Sequence, residues 1–525
     1  MSQPAPGGED IQALARGGRT NFFGFLLRLA ARLPFLFIAG RIYGAEALGR
    51  FAYAILIVEF AAQIATLGLK RGLAQQLSST EKPHVCVVWD AMLVAFLASA
   101  VATVLLAIFP QAMFPNSPII GLEWLLPLIV FAIAGADVAL AALAYRHNVR
   151  ATVTARAIVE PWTISIAAFL LSYLSSRDGL IIAYVLSMLA ALAASLWPLF
   201  RCYGTPQGWR PEPGTLWALA RRNTPLAAAD AIEWGSRRID IAILGLFFSP
   251  AVVGVYYVAQ QVASLPQKLK TSFDPILSPV ITQKLAEGDK KAIAKQVRQV
   301  GFWIIAAQTA VALALGIPAE AVMGLVGAAF IGGTGALAFL LAAEVVAATA
   351  AVSEAALVYV ARHRNLMIST LMIVVQAALS VALILALRAV RVPDELVRLF
   401  GLPSDRLPDT FAAAGPAIAL LLALGLASIL KARLLCRILD APVQGWRWPL
   451  IWAAAAAGSA GYLMTLLPRR LEFVELVVGI PLILVVFGVV LWRFGFTDED
   501  RVLFRMKGGE APSLPPPQGV LPPGR

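Results

Sequence analysis

Cysteine, histidine and charge are all scarce in this chain of 525 residues, which holds three cysteines, three histidines and only 14% Asp, Glu, Lys and Arg. Soluble domains carry about 25% charged residues and about 45–50% apolar ones. The low charge, with 59% hydrophobic residues and a mean hydropathy of +0.77, therefore excludes a water-soluble globular protein. Cys86, Cys202 and Cys436 have no metal-like spacing and all fall near one polar edge of the predicted helices, which argues against a disulfide framework or a metal site. His84, His147 and His363 sit in polar edges, where solvated loop histidines are expected. No metal and no cofactor are expected. Residues 1–20 contain no short apolar stretch followed by a small-residue cleavage site, so no removable signal peptide is expected. Segments of about ten alternating residues are missing too, which excludes a transmembrane barrel.

What is present is a series of apolar runs. About 20 apolar residues span a hydrocarbon core roughly 30 Å thick. Such runs are found at Asn21–Tyr43, Phe51–Leu77, Val85–Phe109, Leu122–Ala144, Thr154–Leu174, Gly179–Phe200 and Asn223–Phe248. They continue at Ala251–Leu277, Val297–Ile317, Gly335–Ala361, Leu366–Leu387, Phe411–Leu430, Pro449–Leu467 and Phe473–Trp492. The spacing predicts an all-α integral membrane protein of about 14 transmembrane helices.

Charge gives the orientation. With a cytoplasmic amino terminus, Lys70, Arg71, Lys82, Arg146, Arg150, Arg201, Arg210, Arg221, Arg222, Arg362, Arg364, Lys431, Arg433 and Arg437 all lie on the inner edge. The opposite loops are poorer in basic residues, which predicts both termini inside. The net charge of +12 then matches anionic inner-leaflet lipid rather than nucleic acid, since no nucleic-acid-binding module is present. The expected divisions are a cytoplasmic tail (1–20), an N-lobe (21–200), a cytoplasmic linker (201–222), a C-lobe (223–430), two further helices (431–492) and a Pro-rich cytoplasmic tail (493–525). A second polar stretch, Gln283–Gln296, is also expected to be a cytoplasmic linker.

An internal repeat supports the two lobes. A shift of 205 lays Gly40, Tyr43, Leu48, Gly49, Phe51 and Ala54 onto Gly245, Phe248, Val253, Gly254, Tyr256 and Ala259. Six helices per unit keep both units in one orientation, so the repeats are expected to be parallel, about an axis along the membrane normal. They would enclose a central cavity, with the last two helices as an addition.

Charges inside the runs mark candidate sites. Arg28 and Arg32 are one turn apart within the first run, where translocon scales assign roughly +2.5 to +3.5 kcal/mol to a central arginine. They call for a water-filled cavity, an anionic ligand, or pairing with Glu59 or Asp137. In the seventh run Asp230, Glu233, Arg237 and Asp240 fall within an arc of about 80° on a continuous helix, and Glu233 can pair with Arg237. Arg238 points about 100° away from Arg237, toward a neighbouring helix. The shift of 205 pairs Arg32 with Arg237 and Arg28 with Glu233, predicting a stronger anion grip in the first lobe. Glu59 and Gln63, Asp137, Glu160 beside Pro161, Glu344 and Glu354 are further intramembrane candidates, whereas Asp90 and Glu123 are expected to reach the interface.

The stretch RLAARLPFLFIAGRIYGAEALGRFAYAILIVEFAAQIATLGLKRGLAQQL, Arg28–Leu77, resembles the opening of oligosaccharide flippases in the multidrug/oligosaccharidyl-lipid/polysaccharide (MOP) transporter superfamily. RRIDIAILGLFFSPAVVGVYYVAQQV, Arg237–Val262, and LVGAAFIGGTGALAFLLAAEVV, Leu325–Val346, are similar to the family's seventh-to-eighth helix turn and its approach to the tenth helix. The resemblance implies a bacterial inner-membrane flippase whose cargo is a polyprenyl-diphosphate-linked oligosaccharide for cell-surface polysaccharide synthesis. Membrane lipid and polysaccharide polymerase machinery are the other implied partners. Arg28, Arg32 and Arg237 would clamp the diphosphate, because guanidinium forks match phosphate oxygens. Asp230, Glu233, Asp240 and Asp137 would hold those arginines or bind sugar hydroxyls, and Glu59, Glu160, Glu344 and Glu354 would couple or gate. A multidrug or cation exporter and a peptidoglycan-precursor flippase share the fold and remain alternatives. An enzyme is disfavoured, since the outer loop Arg388–Thr410 shows no acid/base arrangement.

Overall fold

The computed structural model describes residues 33–115, 117–119, 121–146, 148–271, 285, 287, 289–389, 411–466, 472–497 and 500. Among them every regular element is helical. Among the described residues ten helical segments are long and apolar enough to cross a membrane by length and composition, from Leu33–Ser78 to Glu475–Phe494. Whole rows of large apolar side chains face outward, such as Phe96, Val101, Val104 and Ile108 on one helix. Patches of that extent are untenable in water and belong against lipid. The chain is a multi-pass membrane protein.

The N-lobe begins with α1, described over 33–43, and Gly44, at φ +82°, turns the chain into α2, Gly44–Ala65. The second apolar run is not one helix. Thr66 closes α2 by donating its hydroxyl to the Gln63 carbonyl (2.6 Å), and Leu67 and Gly68 take left-handed conformations before α3, Leu69–Ser78. Then follow α4 (His84–Ile108), α5 (Ile129–Tyr145), α6 (149–171) and α7 (Gly179–Tyr203). Helix α6 carries a π-turn, Val153–Val159, just before Glu160 and Pro161. Proline has no N–H to donate, and the wide turn absorbs the gap in the hydrogen-bond ladder.

The C-lobe contains α8 (Pro213–Ser236), α9 (Ile239–Phe247), α10 (Pro250–Thr271), α11 (Lys290–Gly316), α12 (Ala319–Val326), α13 (Thr334–Val360), α14 (Arg362–Ala389) and α15 (Gly415–Leu439). Helix α8 starts well before Asn223, so the non-helical part of the expected linker narrows to 204–212. The polar stretch Gln283–Gln296 is also corrected in part. Asp289 caps α11 by accepting from the Ala292 amide, and residues 290–296 form its first turns.

The final helices, α16 (Pro449–Thr465) and α17 (472–494), pack on each other and on α11 around Ala453, Ala457, Ile483 and Phe487. The segment after α17 docks as well. Asp500 is fully buried, accepting from Gln299 Nε2 (3.0 Å), Trp303 Nε1 (2.9 Å), Arg447 Nη1 (2.6 Å) and the Thr497 amide and hydroxyl. Burial pushes its carboxyl upward, but the Arg447 and Thr497 donors outweigh burial and hold it below the usual aspartate value.

One apolar core runs through both lobes, where α2 crosses α10. At the crossing a Cβ on Gly49 would lie 1.7 Å from the Pro250 carbonyl oxygen, and one on Gly254 would lie 2.0 Å from the Ala45 carbonyl oxygen. The two contacts are reciprocal: 49 matches 254 and 45 matches 250 under the same shift of 205. A self-complementary contact of this kind is the signature of a two-fold relation. Lipid gives helices no hydrophobic drive to associate, so close backbone contact between small residues carries much of the packing.

Candidate functional site at the lobe seam

The seam between the lobes carries two ion pairs. The seventh run breaks between Ser236 and Ile239, where Arg237 ends α8 and Arg238 adopts φ −137°. The expected 80° charged arc assumed a continuous helix and is therefore corrected. The break turns Arg238 toward α2, where its Nη1 pairs with Glu59 across the lobes. Tyr184 of α7 donates its hydroxyl to the other Glu59 oxygen (2.8 Å), and Trp234 lies under the guanidinium at 4.5 Å. Arg238 and Glu59 both keep part of their surface open, and Arg237 is exposed.

The other acids of that run separate. Asp230 is buried and pairs with Arg71 Nε of α3 (2.8 Å), making a second ionic link between the lobes. Asp240 is fully buried within the C-lobe, accepting from the Tyr256 hydroxyl (2.7 Å), Gln260 Nε2 (3.1 Å) and the Ile241 amide (2.9 Å). It holds no arginine among these partners, contrary to its expected place beside Arg237. Glu233 lies on α8, and its side chain, like Arg28 and Arg32 as a whole, falls outside the described residues.

A further charge cluster lies inside the N-lobe. The π-turn of α6 aims Arg156 at two carboxylates: Nη2 pairs with Asp137 of α5, and Nη1 donates to Glu160 (3.0 Å). Lys70 approaches the other Asp137 oxygen at 3.8 Å. Glu59 and Asp137, the alternative partners for Arg28 and Arg32, are thus engaged by Arg238 and by Arg156 with Lys70. In the C-lobe Glu354 pairs with the buried Lys431 (3.3 Å), while Glu344 is half-buried on α13.

Several functional candidates escape sequence reasoning. Arg156 sits two residues into its apolar run and passes for an edge residue, and its role depends on a π-turn whose only local signal is Pro161. Tyr184 is one tyrosine among ten, unmarked until α7 packs on α2. Glu123 and Asp90, expected to reach the interface, are engaged within the protein. Glu123 is fully buried between Arg50 and Arg177, and Asp90 accepts from Trp209 Nε1 of the interlobe linker (2.8 Å).

The fold and the charged seam define a class by architecture, a two-lobed helical membrane protein with ion pairs between its lobes. Residues 25–285 match the family model described as polysaccharide biosynthesis protein. No curated protein matched the sequence. Among solved structures, the chain is similar to an inward-facing multidrug resistance MATE family transporter of the MOP superfamily, with TM-score 0.59 and 14% identity over 79% of this chain and 99% of that one. It is similar also to the lipid II flippase MurJ in an inward closed conformation, with TM-score 0.58 and 11% identity over 90% and 97%. A MOP superfamily transporter from Pyrococcus furiosus Vc1 gives TM-score 0.51 and 13% identity over 84% and 99%. The match to the polysaccharide biosynthesis family covers just under half of the chain, and the fold is the one these solved transporters share.

Proposed function

We propose that the chain carries a polyprenyl-diphosphate-linked oligosaccharide from the cytoplasmic to the outer leaflet of a bacterial inner membrane, both termini being cytoplasmic. The observation that carries the cargo assignment is the Arg238–Glu59 pair across the lobes, with exposed Arg237 beside it. A diphosphate offers the oxygens a guanidinium fork prefers, so it competes with Glu59 for Arg238. Cargo entry unlocks one ionic link between the lobes, and Glu59 retaking Arg238 expels the cargo. The exchange answers the problem that tight binding alone would trap the substrate. Arg28, Arg32 and Arg237 extend the clamp, Asp230 secures Arg71, and Asp137 with Glu160 fixes Arg156 and Lys70. Glu233 fits a counter-charge for the arginines. Asp240, buried with Tyr256, acts as a packing group of the C-lobe.

The test is complementation of flippase-deficient bacteria with Arg238→Ala, Arg238→Lys, Arg237→Ala, Arg28→Ala and Arg32→Ala, with membrane levels measured in parallel. We expect Arg238→Ala to abolish surface polysaccharide and Arg238→Lys to restore part of it. Wild-type export from Arg238→Ala at normal protein levels would overturn the cargo assignment. Rescue of cells depleted of their peptidoglycan-precursor flippase would instead reassign the sugar while keeping the diphosphate clamp.

A further inference from the structure

The second site lies away from the lobe seam. Between the start of α14 and the end of α15 is a groove of about 360 Å3, lined by Arg364, Arg433 and Arg437 and by apolar Met367, Ile368 and Leu434. All three arginines are exposed, and none has an ion-pair partner among the described residues. Glu354, the acid that faces α15 from α13, is engaged by Lys431, which also donates to Ser369 Oγ (3.0 Å). Three neighbouring guanidinium groups therefore line one groove without an ion pair among the described residues.

Two stripes show what fills the groove. On α15, Leu422, Leu426 and Ile429 follow one another at helical spacing on the exposed face, and Arg433 and Arg437 extend that line. On α14, Val374, Leu371 and Met367 do the same, and Arg364 ends the line. Both stripes are lipid-facing, and both finish in arginine at one edge of the membrane. A soluble anion would need the charges but not the stripes. An acyl chain lying along Met367 and Leu434 with a phosphate above it uses both. The basic edge is the one that the charge bias assigns to the cytoplasm, where anionic lipids concentrate and basic pockets between helices take their head groups.

We propose that this groove binds an anionic phospholipid, with the phosphate held by Arg364, Arg433 and Arg437 and a chain laid along the apolar wall. Arginine suits the role because its fork grips phosphate oxygens while its stem lies on apolar surface. The site is independent of the cargo and survives whatever the complementation experiment shows.

The experiment is native mass spectrometry of the full chain released from micelles doped with phosphatidylglycerol, cardiolipin or phosphatidylcholine. Wild type should retain the anionic lipids over phosphatidylcholine, and the triple variant R364Q/R433Q/R437Q should retain at least about tenfold less, the effect of about 1.4 kcal/mol. A control variant on another part of the basic edge, R201Q/R210Q/R221Q, should behave as wild type. Equal retention by wild type and triple variant, or equal loss from the control, overturns the site. Competition by inorganic phosphate at lipid-like concentration would reassign it to a soluble anion, and displacement by polyprenyl phosphate at sub-stoichiometric amounts would reassign it to the cargo lipid. If the triple variant fails to reach the membrane, the single variants R364Q and R437Q, both on exposed positions, carry the same comparison.

Discussion

Arg238 and Glu59 define what one residue can do at the seam. Each is the other's partner, so removing either leaves an unpaired charge where water is limited, and hydrogen bonds to charged groups contribute about 1.5–3 kcal/mol. Partial exposure of both groups places the effect at the lower end of that range. Glu59→Gln keeps the shape and the hydrogen bond from Tyr184 but removes the competitor for Arg238. We expect the variant to bind a diphosphate-linked lipid analogue more tightly, by about tenfold for each 1.4 kcal/mol of competition removed, while exporting less. Fluorescence binding on purified protein checks the first half and surface polysaccharide the second. Unchanged affinity would remove Glu59 from the cycle.

Asp500 is a residue-scale case with a pH signature. Its carboxyl is held below the ordinary aspartate value, so its contribution to docking is complete at neutral pH and is lost only as the pH falls through that lowered value. Asp500→Asn should reproduce the acid state at pH 7, loosening α16 and α17 from α11. Limited proteolysis around Thr497 is the measurement, with faster cleavage expected for the variant at pH 7 and the difference from wild type persisting down to the ordinary aspartate pKa of about 3.9 and closing only beneath it.

At the scale of the element, small residues and helix breaks matter more than hydrophobicity. Gly49 and Gly254 let α2 and α10 touch backbone to backbone, and a methyl group at either would meet a carbonyl oxygen within 2.0 Å. Gly49→Ala and Gly254→Ala should each force the helices apart at this crossing and lower thermal stability in detergent, by about 1–3 kcal/mol for overpacking. Equal effects from the two, within experimental scatter, are expected from the two-fold relation, and a much larger effect from one would deny it.

The glycine pair also shows what the sequence made legible. Close approach demands glycine locally, so the repeat could be seen as spacing, and membrane runs could be seen because about 20 apolar residues are needed whatever surrounds them. Pairing partners were not legible. Arg156 finds Asp137 only because a π-turn rotates it, Arg238 finds Glu59 only because α8 ends at Ser236, and Asp240 leaves the charged face for the same reason. Helical-wheel reasoning fails wherever the helix stops, and in this chain it stops at the functional seam.

The whole molecule is two lobes joined at a two-fold crossing, with ionic links on one part of the seam and apolar contacts on another. We propose that the lobes rock to open first one membrane face and then the other, which requires them to separate where they now touch. One such contact is the Arg41 Nε donation to the Leu325 carbonyl (2.8 Å), which joins the end of α1 to α12 beside Gly40 and Val326. Cysteines at Arg41 and Leu325, in a chain whose Cys86, Cys202 and Cys436 are serine, can be bridged by a short reducible thiol linker. The bridge should stop export at undiminished protein level, and reduction should restore it, because the same molecules regain the outward-opening half of the cycle. Export that continues through the intact bridge would mean that cargo crosses without the lobes parting here, and the rocking mechanism would have to be replaced by movement along a fixed path.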